Sequence, residues 1–206
     1  MIRVEDDDGL RVVTLARPDK ANALTADMLA AVAEAAEGAA AARARALILT
    51  GEGKVFCAGA DLEAVKAGLA TDPVWQRAAG AIAGFPGLTV AALNGTLAGG
   101  AFALALPCDL RLAVPGANFF YPVMRLGYLP QPDDPARLAA LVGPARAKMI
   151  LMAGARIGAE EALSWGLVER LVPAEALLPM ARELCAAVLA ASPGHAAAIK
   201  RMVPGV

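Results

Sequence analysis

Between Arg77 and Asp109 the chain carries no charged side chain. An uncharged run of that length either crosses a membrane or is swallowed by a folded core, because about 20 apolar residues suffice for a spanning helix. Its punctuation decides between the two. Phe85-Pro86-Gly87, Asn94-Gly95, Gly99-Gly100 and Pro107 interrupt it. Proline removes a backbone donor and glycine admits turns and close packing, so one continuous helix is excluded. The run reads as a buried strand followed by a buried helix, with no membrane segment. Residues 1–8 offer no basic stretch leading into an apolar one and no cleavage site, so a cytoplasmic location is expected.

Composition narrows the partners. The chain has 206 residues, enough to bury a sizeable core without staples. Hydrophobic residues make up 58% and aromatics 4%, which excludes both a disordered chain and a base-stacking platform. The 19 basic and 20 acidic residues are interspersed and leave a net charge of −1, so nothing attracts a nucleic-acid backbone. Cys57, Cys108 and Cys185 are unevenly spaced with no CxxC pair, and His195 is the single histidine. Free thiols in a reducing compartment are expected, with no disulfide, metal or cofactor.

Along the chain, Val4 and residues 11–16 alternate as a hairpin turned at residues 6–9, and Thr25 opens an amphipathic helix to about Ala42. Residues 46–50 suit a buried strand, and 51–59 a glycine loop leading to Asp61 as a helix N-cap. A helix over 73–83 precedes a strand over 88–93, a turn over 94–98 and a helix over 99–106. Short strands are predicted at 110–114 and 118–120, then a proline-rich loop over 127–135. Helices follow over 136–141, 145–152, 159–165 and 177–191, with a strand-like 168–172 between the last two. The expected fold class is α/β, in one domain over 1–206, with a helical C-terminal extension from about 136.

Two segments carry chemistry: Val55-Phe56-Cys57-Ala58-Gly59-Ala60-Asp61-Leu62 and Asn94-Gly95-Thr96-Leu97-Ala98-Gly99-Gly100-Ala101. Each joins a buried strand to a helix start through small residues. Side by side, they can aim two backbone N–H groups at one carbonyl oxygen where negative charge develops. The alternative is that the glycines only permit tight turns.

These two loops, together with Arg17-Pro18-Asp19-Lys20-Ala21-Asn22-Ala23-Leu24, Cys108-Asp109-Leu110-Arg111 and Ile157-Gly158-Ala159-Glu160-Glu161-Ala162, resemble the crotonase superfamily, the enoyl-CoA hydratase/isomerase group. Trp165-Gly166-Leu167-Val168 is similar to its late helix and strand. The resemblance implies repeated ββα units, an acyl-CoA thioester as ligand, and an oxyanion hole from the Ala60 and Gly100 amides. It implies contacts to the CoA ester around Lys20, Asn22, Ala23, Ala58, Asp61 and Leu62, and a homotrimer or hexamer. It also implies a lyase or isomerase of fatty acid metabolism.

The same resemblance exposes a gap. Hydratases of the group place one glutamate three residues after the second-loop glycine and another just after a later proline; here those positions hold Ala103 and Val123. Adding water across a double bond needs a group to activate water and a group to deliver a proton, and neither side chain can do so. Classical hydration is therefore not expected. Tyr121, Asp133 and Asp134 are the candidate replacements, with helix capping as the alternative for the two aspartates and packing for the tyrosine. Glu63 reads as a solvated charge, Cys57 as a buried thiol, and His195 with Ser192 as a surface helix start. Residues 66–75 look shorter than in the group, and its members generally continue beyond the position of Val206. The reactions kept open are enolate chemistry on a thioester, malonyl-type decarboxylation and thioester hydrolysis. A non-catalytic CoA-binding or scaffold subunit is the competing class.

Overall fold

The computed structural model describes residues 1–203. It opens with a hairpin of β1 (Ile2–Asp7) and β2 (Leu10–Leu15), paired antiparallel about Asp8 and Gly9. Helix α1 (Ala26–Ala41) follows, its first turn capped by Thr25, whose side chain accepts from Met28 N. Met28, Leu29, Val32 and Ala36 turn one stripe of α1 into the core. Strand β3 (Ala46–Gly51) is apolar on both faces, as a parallel strand covered on both sides must be.

Next come β4 (Val55–Cys57), α2 (Leu62–Lys66), α3 (Val74–Ala83) and β5 (Leu88–Leu93). The uncharged run continues through β6 (Thr96–Ala98), a 3-10 turn at Gly99–Ala101 and α4 (Phe102–Ala105). Then follow β7 (Leu110–Ala113), β8 (Asn118–Phe120) and α5 (Val123–Leu126). The remainder is α6 (Asp134–Val142), α7 (Pro144–Leu151), β9 (Arg156–Gly158), α8 (Ala159–Trp165), β10 (Arg170–Leu171), α9 (Leu177–Ala190) and α10 (Pro193–Met202).

Two sheets organise these elements. A six-stranded sheet runs β1-β2-β3-β5-β7-β10, and only its outermost β1-β2 pair is antiparallel. A four-stranded sheet runs β4-β6-β8-β9. The α/β fold class is as expected, and Val90 through Leu93 and Ala101 through Leu106 are almost wholly buried, which disposes of the uncharged run. Among the described residues no helix is long and apolar enough to cross a membrane.

The second sheet is where the sequence reading needs correction. The stretch 51–59 is not all loop, since it contains β4, and 94–98 is a turn only at Asn94-Gly95 before β6 begins. Strands of three residues are too short to show a period of two, and they exist because they pair with one another. The loop 127–135 also ends earlier than expected, because α6 starts at Asp134 with Pro135 in its first turn, where a missing N–H costs nothing. The β9 strand and the short α5 had no periodic signal at all.

Candidate active site

Strands β4 and β6 run parallel, and each chain leaves its strand in the same direction into a turn and a helix. The two exits touch backbone to backbone. Gly59 sits at φ +99°, and a Cβ there would lie 2.9 Å from the Ala98 carbonyl oxygen and 3.5 Å from Gly100 N. Only glycine fits that conformation and that gap. On its other side the Gly59 carbonyl accepts from Leu24 N at 2.8 Å and Asp61 N donates to the Leu24 carbonyl at 2.8 Å. In such a parallel bridge the flanking residues bond the neighbour, so the N–H of the central residue, Ala60, faces away from Leu24. Gly100 lies in the first turn of a helical segment, where N–H groups have no intrahelical partner. Among the described residues neither of these two N–H groups is paired with an acceptor.

The segment resembling a CoA-contacting stretch lies beside this point, held by Ala58 N donating to the Ala21 carbonyl at 3.0 Å. Its residues divide into a buried framework and an outer face. Asn22 is fully buried and its side chain is spent on the protein itself. Its Oδ1 accepts from Arg17 N at 2.9 Å, and its Nδ2 donates to the carbonyls of Glu52, Val55 and Phe56. Every polar atom of the Asn22 side chain is thereby satisfied within the protein, so its role in this segment is to hold the backbone in place. Asp61 is likewise committed. Its Oδ1 caps α2 through Glu63 N and Ala64 N, and its Oδ2 accepts from Arg17 Nη1 at 2.8 Å, which holds the carboxyl below its ordinary range. Lys20, Ala58 and Leu62 are exposed and Ala23 is half-buried on the outer face.

Other sulfur, imidazole and carboxyl candidates fall away on geometry. The Cys57 thiol is buried and donates to the Asn22 carbonyl at 3.0 Å, and burial pushes it up to about 12, so it is no thiolate nucleophile. Ser192 caps α10 by accepting from His195 N at 3.4 Å, and Glu63 pairs with Lys66 on the surface.

Ala103 and Val123 are both buried. Against Ala103 lies a small cavity whose walls include Trp75, Ala79, Gln131, Asp134 and Arg137. Asp134 is 1% exposed. Its Oδ2 accepts from the Tyr121 hydroxyl at 2.9 Å, that hydroxyl accepts from Gln131 N at 3.1 Å, and the Tyr121 ring stacks on Phe102 with centroids 5.3 Å apart. The other carboxylate oxygen, Oδ1, is buried without a hydrogen-bond partner, as is Nη1 of Arg137. Burial pushes the Asp134 carboxyl up to about 7, although the Tyr121 hydrogen bond and the nearby Arg137 charge pull the other way. Tyr121 itself is pushed up by burial and by the Asp134 charge, and its one proton is given to Asp134. It orients the carboxyl and is a poor acid.

Asp133 also lines this cavity but stands outside the buried hydrogen-bonded group. It is exposed and faces Arg137 at 3.4 Å, and it places no side-chain cap on α6. Sequence reasoning missed Trp75, Gln131 and Arg137. The available signal for Trp75 was the presence of a large aromatic in a chain with only 2 tryptophans; the other two carried none.

Residues 5–204 match the enoyl-CoA hydratase/isomerase family. The Bacillus subtilis (strain 168) protein YngF, which bears an enoyl-CoA hydratase/isomerase name, is 40% identical over 195 residues, covering 89% of this chain and 74% of its own. The carnitinyl-CoA dehydratase of Citrobacter koseri is 39% identical over 168 residues, 77% of this chain and 62% of that protein. The alignment thus spans less than two thirds of the dehydratase. Among solved structures, the Geobacillus kaustophilus HTA426 enoyl-CoA hydratase subunit I has a TM-score of 0.88 at 34% identity, covering 97% of this chain and 79% of that one. A Pseudoalteromonas atlantica T6c enoyl-CoA hydratase/isomerase has a TM-score of 0.91 at 30% identity, with coverage of 98% and 81%.

Proposed function

The chain belongs to the enoyl-CoA hydratase/isomerase family, and from that membership we propose that it binds an acyl-CoA thioester and stabilises the enolate oxygen with the Ala60 and Gly100 amides. The observation that carries this reading is the backbone contact of the two loops at Gly59 and Gly100, with two unpaired N–H groups beside it. Preorganised donors of this kind act where charge develops and cost no reorganisation when it does. Lys20, Ala23, Ala58 and Leu62 offer the outer face on which the CoA moiety lies. The thioester is the substrate, and the proposed chemistry calls on no further cofactor or metal.

In this reading Asp134 takes over as the acid–base group. A single carboxyl suits chemistry with one proton transfer at the α-carbon. Loss of carbon dioxide from a malonyl-type thioester breaks the carbon–carbon bond and leaves the electron pair in the enolate. The oxyanion hole stabilises that enolate, and protonated Asp134 then delivers a proton to the α-carbon and is reprotonated from water. Hydration of a 2-enoyl-CoA needs two such groups, and Ala103 and Val123 supply neither. The competing class, a CoA-binding subunit without catalysis, fits the two apolar side chains but gives no role to a buried carboxyl with one free oxygen.

The experiment is incubation with crotonyl-, methylmalonyl- and butyryl-CoA, with products identified by mass spectrometry. Carbon dioxide loss or α-deuterium incorporation in D2O is expected, with crotonyl-CoA hydrated below about 1 per second, the low end of ordinary enzymatic turnover. Rapid hydration, or binding with no conversion and no exchange, overturns the proposal. Ala60→Pro removes one donor and is expected to lower the observed rate about 100- to 1,000-fold in a folded variant. We also propose a homotrimer or hexamer, since Met124, Leu126 and Leu129, close together in sequence, are more than half exposed and exposed apolar side chains so grouped call for cover. Light scattering that shows only monomer at micromolar concentration ends that assignment. Three buried free cysteines suit a cytoplasmic setting.

A further inference from the structure

We propose that Trp75 sets the length of acyl chain this site accepts and confines it to short-chain thioesters. The inference rests on the oxyanion role given above to Gly100. A Cβ built on Gly100 would lie 2.8 Å from Cη2, 3.2 Å from Cζ2 and 3.3 Å from Cζ3 of Trp75. The outer edge of the indole therefore packs directly on the α-carbon of one proposed donor, and residue 100 has to be glycine while the indole is there. An acyl chain whose carbonyl oxygen sits at the Gly100 amide meets this ring within a few bonds.

The ring is fixed in place. Trp75 is 1% exposed, and its Nε1 donates to the Leu69 carbonyl at 2.8 Å. Leu69 is itself buried, in the short turn Leu69–Thr71, which Gln131 clamps from the opposite loop through Nε2 to the Ala70 carbonyl at 3.2 Å. Asp72 closes the start of α3 by accepting from Val74 N at 2.8 Å. A free tryptophan could swing aside for a longer ligand, but this one would first have to give up a buried hydrogen bond. The small cavity it lines has Ala79, Ala103 and Asp134 as further walls. The space that opens where a side chain as small as Ala103 stands is thus filled from across the site by indole. The Asp134 carboxyl keeps its place in the cavity wall, and what is lost is depth.

Glycine at 100 and tryptophan at 75 are consequently a matched pair. Gly100→Ala forces the indole out, and shrinking the indole makes room for the added methyl. Each methylene that finds an apolar lining adds roughly fourfold to affinity, from about 0.8 kcal/mol per buried CH₂.

Calorimetric titration of the full chain with butyryl-CoA and octanoyl-CoA reads the effect. Wild type is expected to bind butyryl-CoA and to bind octanoyl-CoA no more tightly. Trp75→Ala is expected to reverse the order, with octanoyl-CoA gaining up to about 200-fold for its four further methylenes. Trp75→Phe, which keeps an aromatic in the core and loses the bond to Leu69, is expected to give a smaller gain, and serves if the alanine variant does not fold. A wild type that favours octanoyl-CoA by tenfold or more overturns the assignment. So does a folded Trp75 variant with an unchanged butyryl-to-octanoyl ratio. Failure of both esters to bind any variant would instead sink the CoA-ester reading of the site. The Gly100→Ala variant gives a second check: its loss of butyryl-CoA affinity should be partly restored by adding Trp75→Phe.

Discussion

Asp134→Asn is expected to lower thioester turnover roughly 100- to 10,000-fold, the usual contribution of one positioned acid or base. Asparagine keeps the shape and still accepts from the Tyr121 hydroxyl, so the stack of Tyr121 on Phe102 and the start of α6 should stand. What disappears is the transferable proton. Binding of butyryl-CoA should stay within a few-fold, which separates this role from a structural one. The wild-type rate should fall as pH rises through about 7, the value to which burial pushes the carboxyl, because the donor is then ionised. Turnover in the asparagine variant within threefold of wild type, or an unchanged pH profile, removes Asp134 from the mechanism.

The same carboxyl has a cost in stability, and its sign can be tested. Unfolded, an aspartate titrates at about 4, and in the folded protein Asp134 is raised to about 7. Between those values the native state holds more protons than the unfolded one, so its contribution to stability falls as pH rises through this window. Asp134→Asn should therefore flatten the pH dependence of the melting temperature between pH 5 and 8, with the variant relatively more stable at pH 8. A buried group that weakens the fold at neutral pH and whose replacement by an amide impairs the reaction is characteristic of a site retained for chemistry.

Much of this was legible in the residues. An uncharged run broken by Pro-Gly, Asn-Gly and Gly-Gly left no option but buried strand, turn and buried helix, and small residues at both strand exits pointed to backbone donors. The short strands β4, β6 and β9 were not legible, because three residues show no period and their pairing is long-range, whereas β8 was read at its own bounds from the turn before it. Asn22 misled for a related reason. A polar residue in a ligand-contacting motif looks like a ligand contact, yet three hydrogen bonds to the carbonyls of Glu52, Val55 and Phe56 and one from the nearby Arg17 N make its side chain a tie between segments. Asp133 and Asp134 are neighbours in sequence and were indistinguishable there. Helix periodicity sends one to solvent and the other to the core, and only the packing of Tyr121 and Gln131 says which.

Arg111→Met is expected to destabilise the fold by about 3 kcal/mol or more, the range found when one partner of a buried ion pair is removed. Arg111 stands on β7 in the middle of an otherwise apolar strand, with its side chain 3% exposed. Its Nη2 meets Glu169 Oε1 at 2.7 Å, its Nε donates to the Leu167 carbonyl at 2.9 Å and its Nη1 to the Cys108 carbonyl at 2.6 Å. Glu169 Oε2 also accepts from Arg111 N. The two-residue strand β10 has a short ladder, so this side chain adds to the backbone bonds from Glu169 N to the Arg111 carbonyl and from Val172 N to the Ala113 carbonyl in tying β7 to the chain leaving α8. Methionine fills the volume but leaves the carbonyls of Leu167 and Cys108 without these donors and the Glu169 carboxylate with only the backbone N–H of residue 111. Glu169 is 34% exposed, so water recovers part of its hydration and the loss should lie near the lower end of the range. Against a total stability of about 5–15 kcal/mol that remains a large share. Urea denaturation of Arg111→Met and of the double variant with Glu169→Gln reads the coupling directly, because removing the carboxylate charge should restore part of what the methionine costs. A single variant within 1 kcal/mol of wild type, or strict additivity in the pair, would mean that β10 and α8 are held by apolar packing and the backbone ladder without help from the ion pair.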